Sequence, residues 1–294
     1  MRPLPLLPLL LLTGAQAPAP RTPAEIIAQA PAAAWRDISA DDLLLVDLRD
    51  GGRVVIQLAP AFAPVHVANI KALARGNWWE GATIYRVQDN YVVQWGNNQS
   101  DRPFPSAVVE KPPAEYTRPL RGLTVRPVGF PDPYAPAAGY ALGWPVAYDS
   151  KAGWANLAHC YASVGVGRGL SPDTGTGGEL YAVIGHAPRH LDRNIAVVGR
   201  VIEGIEKMSA LPRGTEALGF YKEPSQHVPI ASVRLASQLP EAERPQFQHM
   251  STASADFGNY VRARANRRDD FFIRPAGGVD VCNAPVPVRR KPAQ

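Results

Sequence analysis

The sequence predicts a mainly β fold of short strands joined by many turns. Three observations carry the prediction. Among 294 residues there are 30 Pro and 25 Gly, breakers that a helical bundle excludes. Only 19% of residues are charged, too few to coat the solvent faces of long helices. Hydrophobic residues reach 46%, enough to bury a sizeable core and to exclude general disorder. The formal charge of +5 is modest and spread along the chain, so nucleic-acid binding is not expected. The densest basic run, Arg262, Arg264, Arg267 and Arg268, is followed by Asp269 and Asp270 and reads as a solvated helix face.

Taken in order, residues 1–17 read as a cleavable secretory signal. Arg2 precedes an apolar run at 4–12, broken by Pro5 and Pro8, and small residues follow at Thr13, Gly14, Ala15 and Ala17. Such a run is shorter than the ~20 residues a bilayer span needs. The expected location is therefore periplasmic or secreted. Residues 18–40 form a lead-in, its 18–34 stretch rich in Ala and Pro and expected to include a flexible part. Strands are expected at 43–48 and 54–58 around the turn Asp50-Gly51-Gly52. Pro64 opens a helix in which Val67, Ile70, Leu73 and Ala74 recur at helical spacing, and Gly76 closes it. A strand pair follows at 83–87 and 91–95. From 97 to 156 no period is visible. Strands return at 158–166, 179–185 and 195–201, then a short helix at 202–211 and a last strand at 228–235. A further helix is expected around 251–268, followed by the apolar Phe271-Phe272-Ile273.

Residues 64–96 and 172–204 carry a resemblance. Ala63-Pro64-Val65-His66-Val67-Ala68-Asn69-Ile70 is similar to the opening helix motif AP-x-x-V-x-N-F of the cyclophilins, the peptidyl-prolyl cis–trans isomerases. Asn77-Trp78-Trp79-Glu80-Gly81 resembles their G-x-Y-D-G turn. Ile84-Tyr85-Arg86-Val87 resembles F-H-R-V, and Tyr91-Val92-Val93-Gln94-Trp95-Gly96 resembles F-M-x-Q-G-G. Farther on, Pro172-Asp173-Thr174-Gly175 and Gly178-Glu179-Leu180-Tyr181-Ala182-Val183 resemble P-N-S-x-x-S-Q-F-F-I. The stretch from Leu191-Asp192-Arg193 through Val201-Ile202-Glu203-Gly204 is similar to L-D-G-x-H-x-V-F-G-K-V-x-x-G. No one motif decides, but several in the family's order do.

The resemblance implies a closed eight-stranded antiparallel barrel capped by two helices, spanning 41–236 with an insertion at about 98–157. A helical extension follows at 237–294. It implies isomerisation of X–Pro bonds in unfolded or extended polypeptides, with no cofactor and no metal. Arg86 stands at the family's catalytic position and Gln94 at that of its orienting partner. The substrate-binding set it implies is Tyr91, Val92, Gly165, Val166, Glu179, Tyr181, His190 and Leu191. Three departures stand out. Glu179 replaces a Gln, and either pairs with Arg86 or rims the groove. His190 replaces an aromatic, and Ile195 or Ala196 replaces a His. They point to weak cyclosporin binding, and they keep open an alternative reading as a catalytically weak peptide-binding module or holdase.

The only cysteines, Cys160 and Cys282, either form a disulfide, as an exported chain favours, or are separate buried thiols. Gly165-Val166-Gly167-Arg168-Gly169 follows a strand but precedes no helix, which argues against a phosphate loop. His186 and His190 are four apart, but Pro188 forbids the helix that would align them on a metal. Asn98-Gln99-Ser100 is a glycosylation sequon. The insertion, rich in Tyr, Trp and Pro, is either a packed elaboration beside the groove or irregular padding.

Overall fold

A computed structural model of the chain describes residues 21–97, 101–269 and 271–292. The signal expected at 1–17 and the sequon at 98–100 lie outside the described residues.

The apolar run at 43–48 forms β1 (Leu43–Leu48), paired antiparallel with β2 (Arg53–Leu58). Gly51 takes the tight turn at φ 89°, where a side chain would be strained. Apart from Asp47, which pairs with Arg53, the run is apolar because both faces are covered. Leu44, Val46 and Leu48 face the central core, while Leu43 and Leu45 pack under Ile38, Leu239 and Phe247.

The other strands of the same sheet are β3 (Thr83–Val87), β4 (Val92–Gly96), β5 (Ser163–Val166), β6 (Leu180–Val183), β7 (Val197–Glu203) and β8 (Val228–Leu235). Their order around the wall is β5-β6-β4-β3-β8-β1-β2-β7, and β7 pairs with β5 to close an eight-stranded antiparallel barrel. Closure leaves the sheet without an exposed edge. Ile84, Val93, Trp95, Val164, Val166, Leu180 and Val198 fill the interior.

Between β2 and β3 runs the helix Pro64–Arg75, whose Val67, Ile70, Leu73 and Ala74 enter the barrel core. Its first turn is capped from far along the chain: the Glu115 carboxylate accepts from the Val65 and His66 amides, each at 2.9 Å. A second short helix, Ile205–Ser209, adds Met208 to the core. It is shorter than the expected 202–211 because β7 runs on to Glu203 and Gly204 turns the chain at φ 86°. Likewise the strand expected at 158–166 begins only at Ser163, after a turn at Ala162 with φ 69°.

Outside the barrel the structure holds regular elements where the sequence shows no clear period. The lead-in is ordered from Arg21 onward. Its helix Pro23–Gln29 starts on a capping box, Thr22 with Glu25, and packs against the helix Ala255–Ala265 of the extension. Trp35 is buried, and Trp35–Asp37 joins Phe247–Met250 and Val288–Arg290 in a three-stranded sheet. The insertion, in which no period was visible, holds a five-stranded sheet. It is centred on Ala137–Ala141, Trp144–Asp149 and Trp154–Leu157, with Arg118–Pro119 and Arg126–Pro127 at its edges. Lead-in, insertion and extension share one apolar core that includes Ile26, Trp35, Tyr140, Met250, Phe257 and Val281. Cys160 and Cys282 form a disulfide, S–S 2.07 Å, tying the barrel to the extension. Among the described residues no helix is long and apolar enough to cross a membrane.

Candidate active site on the outer barrel wall

Strand register assembles the site. Gly165 pairs with Tyr181, Tyr181 with Gln94, and Gln94 with Arg86, so four residues form one row across β5, β6, β4 and β3. The rows on either side, Val164-Ala182-Val93-Val87 and Val166-Leu180-Trp95-Ile84, lie in the barrel core. Side chains alternate across a strand, so the row between them faces outward.

β3 breaks the alternation to make this possible. Ile84 pairs with Trp95 and Arg86 with Gln94, which leaves Tyr85 as an extra residue in a bulge. Ile84 and Val87 both point into the core. The bulge re-aims the chain so that Arg86 joins the outward row and Tyr85 stands beside it.

The Arg86 guanidinium is held on three sides. Its Nη1–H donates to Gln94 Oε1 at 2.9 Å, Nη2–H to Gln88 Oε1 at 2.6 Å, and Nε–H to the Leu218 carbonyl at 2.7 Å. Its Cζ lies 5.4 Å from the Phe220 ring centroid and 6.0 Å from that of Tyr91. Burial pulls its pKa down, yet a guanidinium remains cationic at neutral pH. Three of five N–H groups are committed, so two remain for a ligand.

Gln94 is oriented in turn. Its Nε2–H donates to the Tyr85 hydroxyl at 2.7 Å, and that hydroxyl donates to Glu179 Oε2 at 2.5 Å. Burial and the nearby Glu179 charge push the Tyr85 phenol upward, so it keeps its proton. Glu179 therefore pairs with Tyr85, and the three acceptors of Arg86 do not include it. Burial raises the Glu179 carboxyl to about 7, against the hydrogen bonds from the Tyr85 hydroxyl and the Asn97 backbone. Gly96 makes room for it: a Cβ there would fall 2.1 Å from Glu179 Oε2.

Beside this row lies an apolar patch of Val92, Tyr181 and Val183, with Tyr91, Leu191 and Ile195 partly buried against it. His190 is exposed and stacks on Tyr91, centroids 6.1 Å apart and planes at 10°. Gly165 lets the Tyr181 ring lie flat across β5, since a Cβ would come within 2.2 Å of its hydroxyl. Val166 does not join the site: it is fully buried and points into the barrel. The other implied residues, Tyr91, Val92, Gly165, Glu179, Tyr181, His190 and Leu191, gather around Arg86 and Gln94.

Sequence reasoning missed what stands behind the patch. The Tyr181 hydroxyl lies 3.0 Å from His159 Nε2, and His159 Nδ1 lies 2.9 Å from Asp192 Oδ1. The imidazole thus bridges the Tyr181 hydroxyl and the Asp192 carboxylate through its two ring nitrogens. Asp192 also takes Arg189 Nε–H at 2.6 Å, and the Arg189 fork reaches Asp132 of the insertion at 2.9 and 3.1 Å. These charged side chains are almost wholly buried. The insertion is thus wired to the wall of the patch. Phe220 was also missed; it stacks on Tyr85 at 6.0 Å from 135 positions away, with no local signal.

The family model for cyclophilin type peptidyl-prolyl cis-trans isomerases matches residues 44–235, the barrel with its insertion. A probable peptidyl-prolyl cis-trans isomerase of Brucella suis biovar 1 is 23% identical over 180 residues, covering 60% of this chain and 74% of the relative. A protein of the same description from Brucella abortus strain 2308 matches with the same identity and shares. Among solved structures, cyclophilin AquaCyp293 from Hirschia baltica is similar with a TM-score of 0.68 at 21% identity. That match covers 88% of this chain and 95% of the other, more than the barrel segment alone.

Proposed function

This chain belongs to the cyclophilin-type peptidyl-prolyl cis–trans isomerases, and from that membership we propose how its own residues turn an X–Pro bond and where it does so. The barrier is about 18–20 kcal/mol, because the amide nitrogen's lone pair is delocalised into the carbonyl. A thousandfold acceleration requires about 4 kcal/mol of preferential stabilisation of the twisted amide. The observation that carries the reading is the Arg86 fork, fixed by Gln94, Gln88 and the Leu218 carbonyl with two N–H groups left over. As the bond twists, the lone pair localises on nitrogen, and a positioned cation stabilises that charge more than the planar ground state. The prolyl ring sits on the patch of Val92, Tyr181, Leu191 and Tyr91, and Gln94 keeps the fork in register.

The substrates are exported polypeptides in extended form. The Cys160–Cys282 disulfide supports an oxidising compartment, as does the leader read at 1–17. Cyclosporin binds weakly, because His190 stands in place of the larger aromatic.

The test is acceleration of cis-to-trans conversion of a proline-containing peptide by the full chain and by Arg86→Ala. Wild-type activity lost in the variant is expected. Peptide binding without acceleration would identify a holding module, and activity unchanged by the substitution would remove Arg86 from the chemistry.

A further inference from the structure

The barrel's outer wall carries another arginine whose surroundings differ from those of Arg86. Arg200 on β7 pairs with Gln57 on β2, and its Nε–H and Nη2–H both donate to the one Gln57 Oε1, at 3.0 and 2.8 Å. Its Cζ lies 4.6 Å from the Trp144 ring centroid, beneath the insertion hairpin. Among the described residues no carboxylate lies within ion-pair distance of it, unlike Arg189, which holds two. Burial pulls its pKa down to about 9. A half-buried guanidinium with one neutral acceptor is short of a counter-charge.

Arg200 lines a cavity of about 200 Å³ at the junction of barrel, insertion and extension. Trp144 and Leu157 come from the insertion, Val197 from the barrel, and Val281 and Val286 from the extension, with the disulfide in its wall. At its rim stands Arg264, whose Nε–H donates to the Asn283 carbonyl at 2.9 Å and which also has no carboxylate partner among the described residues. Two cations with no acid thus meet one largely apolar space. A dry cavity of about 150 Å³ accommodates a benzene ring, so this one has room for a ring and a small charged head.

We propose that this junction cavity binds a small apolar monocarboxylate, its carboxylate between Arg200 and Arg264 and its ring or short aliphatic body against Trp144, Leu157 and Val286. The carboxylate geometry suits a guanidinium fork, which offers parallel donors. Each of the three parts of the chain supplies one wall, so the site belongs to the whole molecule and not to the barrel alone. It is separate from the Arg86 row and does not depend on it.

Titration calorimetry of the full chain with sodium benzoate tests the proposal, with benzamide as the neutral isostere and acetate as the bare anion. One saturable site is expected, with a Kd on the order of 0.1–1 mM. Benzamide and acetate are expected to bind at least about tenfold more weakly. Arg264→Gln, a change at the cavity rim, weakens benzoate about tenfold, and Arg200→Gln abolishes its binding while leaving the free protein at least as heat-stable. Arg86→Ala leaves benzoate affinity unchanged, which separates this site from the isomerase site. Benzoate binding no tighter than benzamide, or undiminished in both Arg200→Gln and Arg264→Gln, overturns the proposal.

Discussion

Replacing Glu179 by Gln should stabilise the protein above neutral pH and do almost nothing below about pH 4. The carboxyl rises from its ordinary 4.5 to about 7 in the folded chain, chiefly through burial. The folded state therefore holds this proton more tightly than the unfolded state does. Below pH 4.5 both forms are protonated and the residue is neutral to stability. As pH climbs from 4.5 to about 7, the unfolded chain releases the proton first, and stability falls; above 7 the loss is complete. At about 1.4 kcal/mol per pH unit of separation, the ceiling is roughly 3 kcal/mol. The side chain is only part-buried, which lowers the expected value to about 2 kcal/mol. Gln keeps an oxygen for the Tyr85 hydroxyl, so that hydrogen bond survives the change. Urea unfolding of both proteins between pH 4 and 8.5 measures the difference directly. It should grow from near zero to about 2 kcal/mol in favour of Glu179→Gln. A difference that does not change with pH would refute the burial argument, and a wild type that gains on its variant as pH rises would reverse its sign.

Gly165→Ala would set a Cβ 2.2 Å from the Tyr181 hydroxyl; peptide turnover should fall about tenfold or more while the circular dichroism of the barrel is retained. Reducing the Cys160–Cys282 bond opens a link between positions 122 apart, so the urea midpoint should drop by the equivalent of about 4 kcal/mol. Asp132→Ala leaves the buried Arg189 with Asp192 alone; a loss of about 3 kcal/mol in denaturant unfolding is expected.

The barrel was legible where both faces of a strand are covered or the period is clean. Leu43–Leu48 reads as one apolar run because the barrel core and the extension each bury a face. The helix Pro64–Arg75 announces itself by Pro at its start and Gly76 at its end. The insertion was not legible because its strands carry Pro119, Pro127 and Pro145, and two of them are two residues long. The signal for the first helix, Thr22-Pro23-Ala24-Glu25, was present but masked by the Ala and Pro around it. At the site, residue types and register were readable, and the reason Arg86 faces outward was not. That reason is the bulge at Tyr85, which depends on the partner strand. The Asp132-Arg189-Asp192-His159-Tyr181 chain joins residues far apart in sequence and leaves no local pattern.

In the proposed mechanism a fixed guanidinium fork, and not positive charge alone, carries the isomerisation. Exchange spectroscopy on an X–Pro peptide at equilibrium, with wild type and Arg86→Lys, tests it most directly. Lysine keeps the charge but lacks the planar fork that Gln94, Gln88 and the Leu218 carbonyl hold. The predicted result is fast cis–trans exchange with wild type and a fall of about a hundredfold with the variant. Exchange within a few-fold of wild type in Arg86→Lys would contradict it.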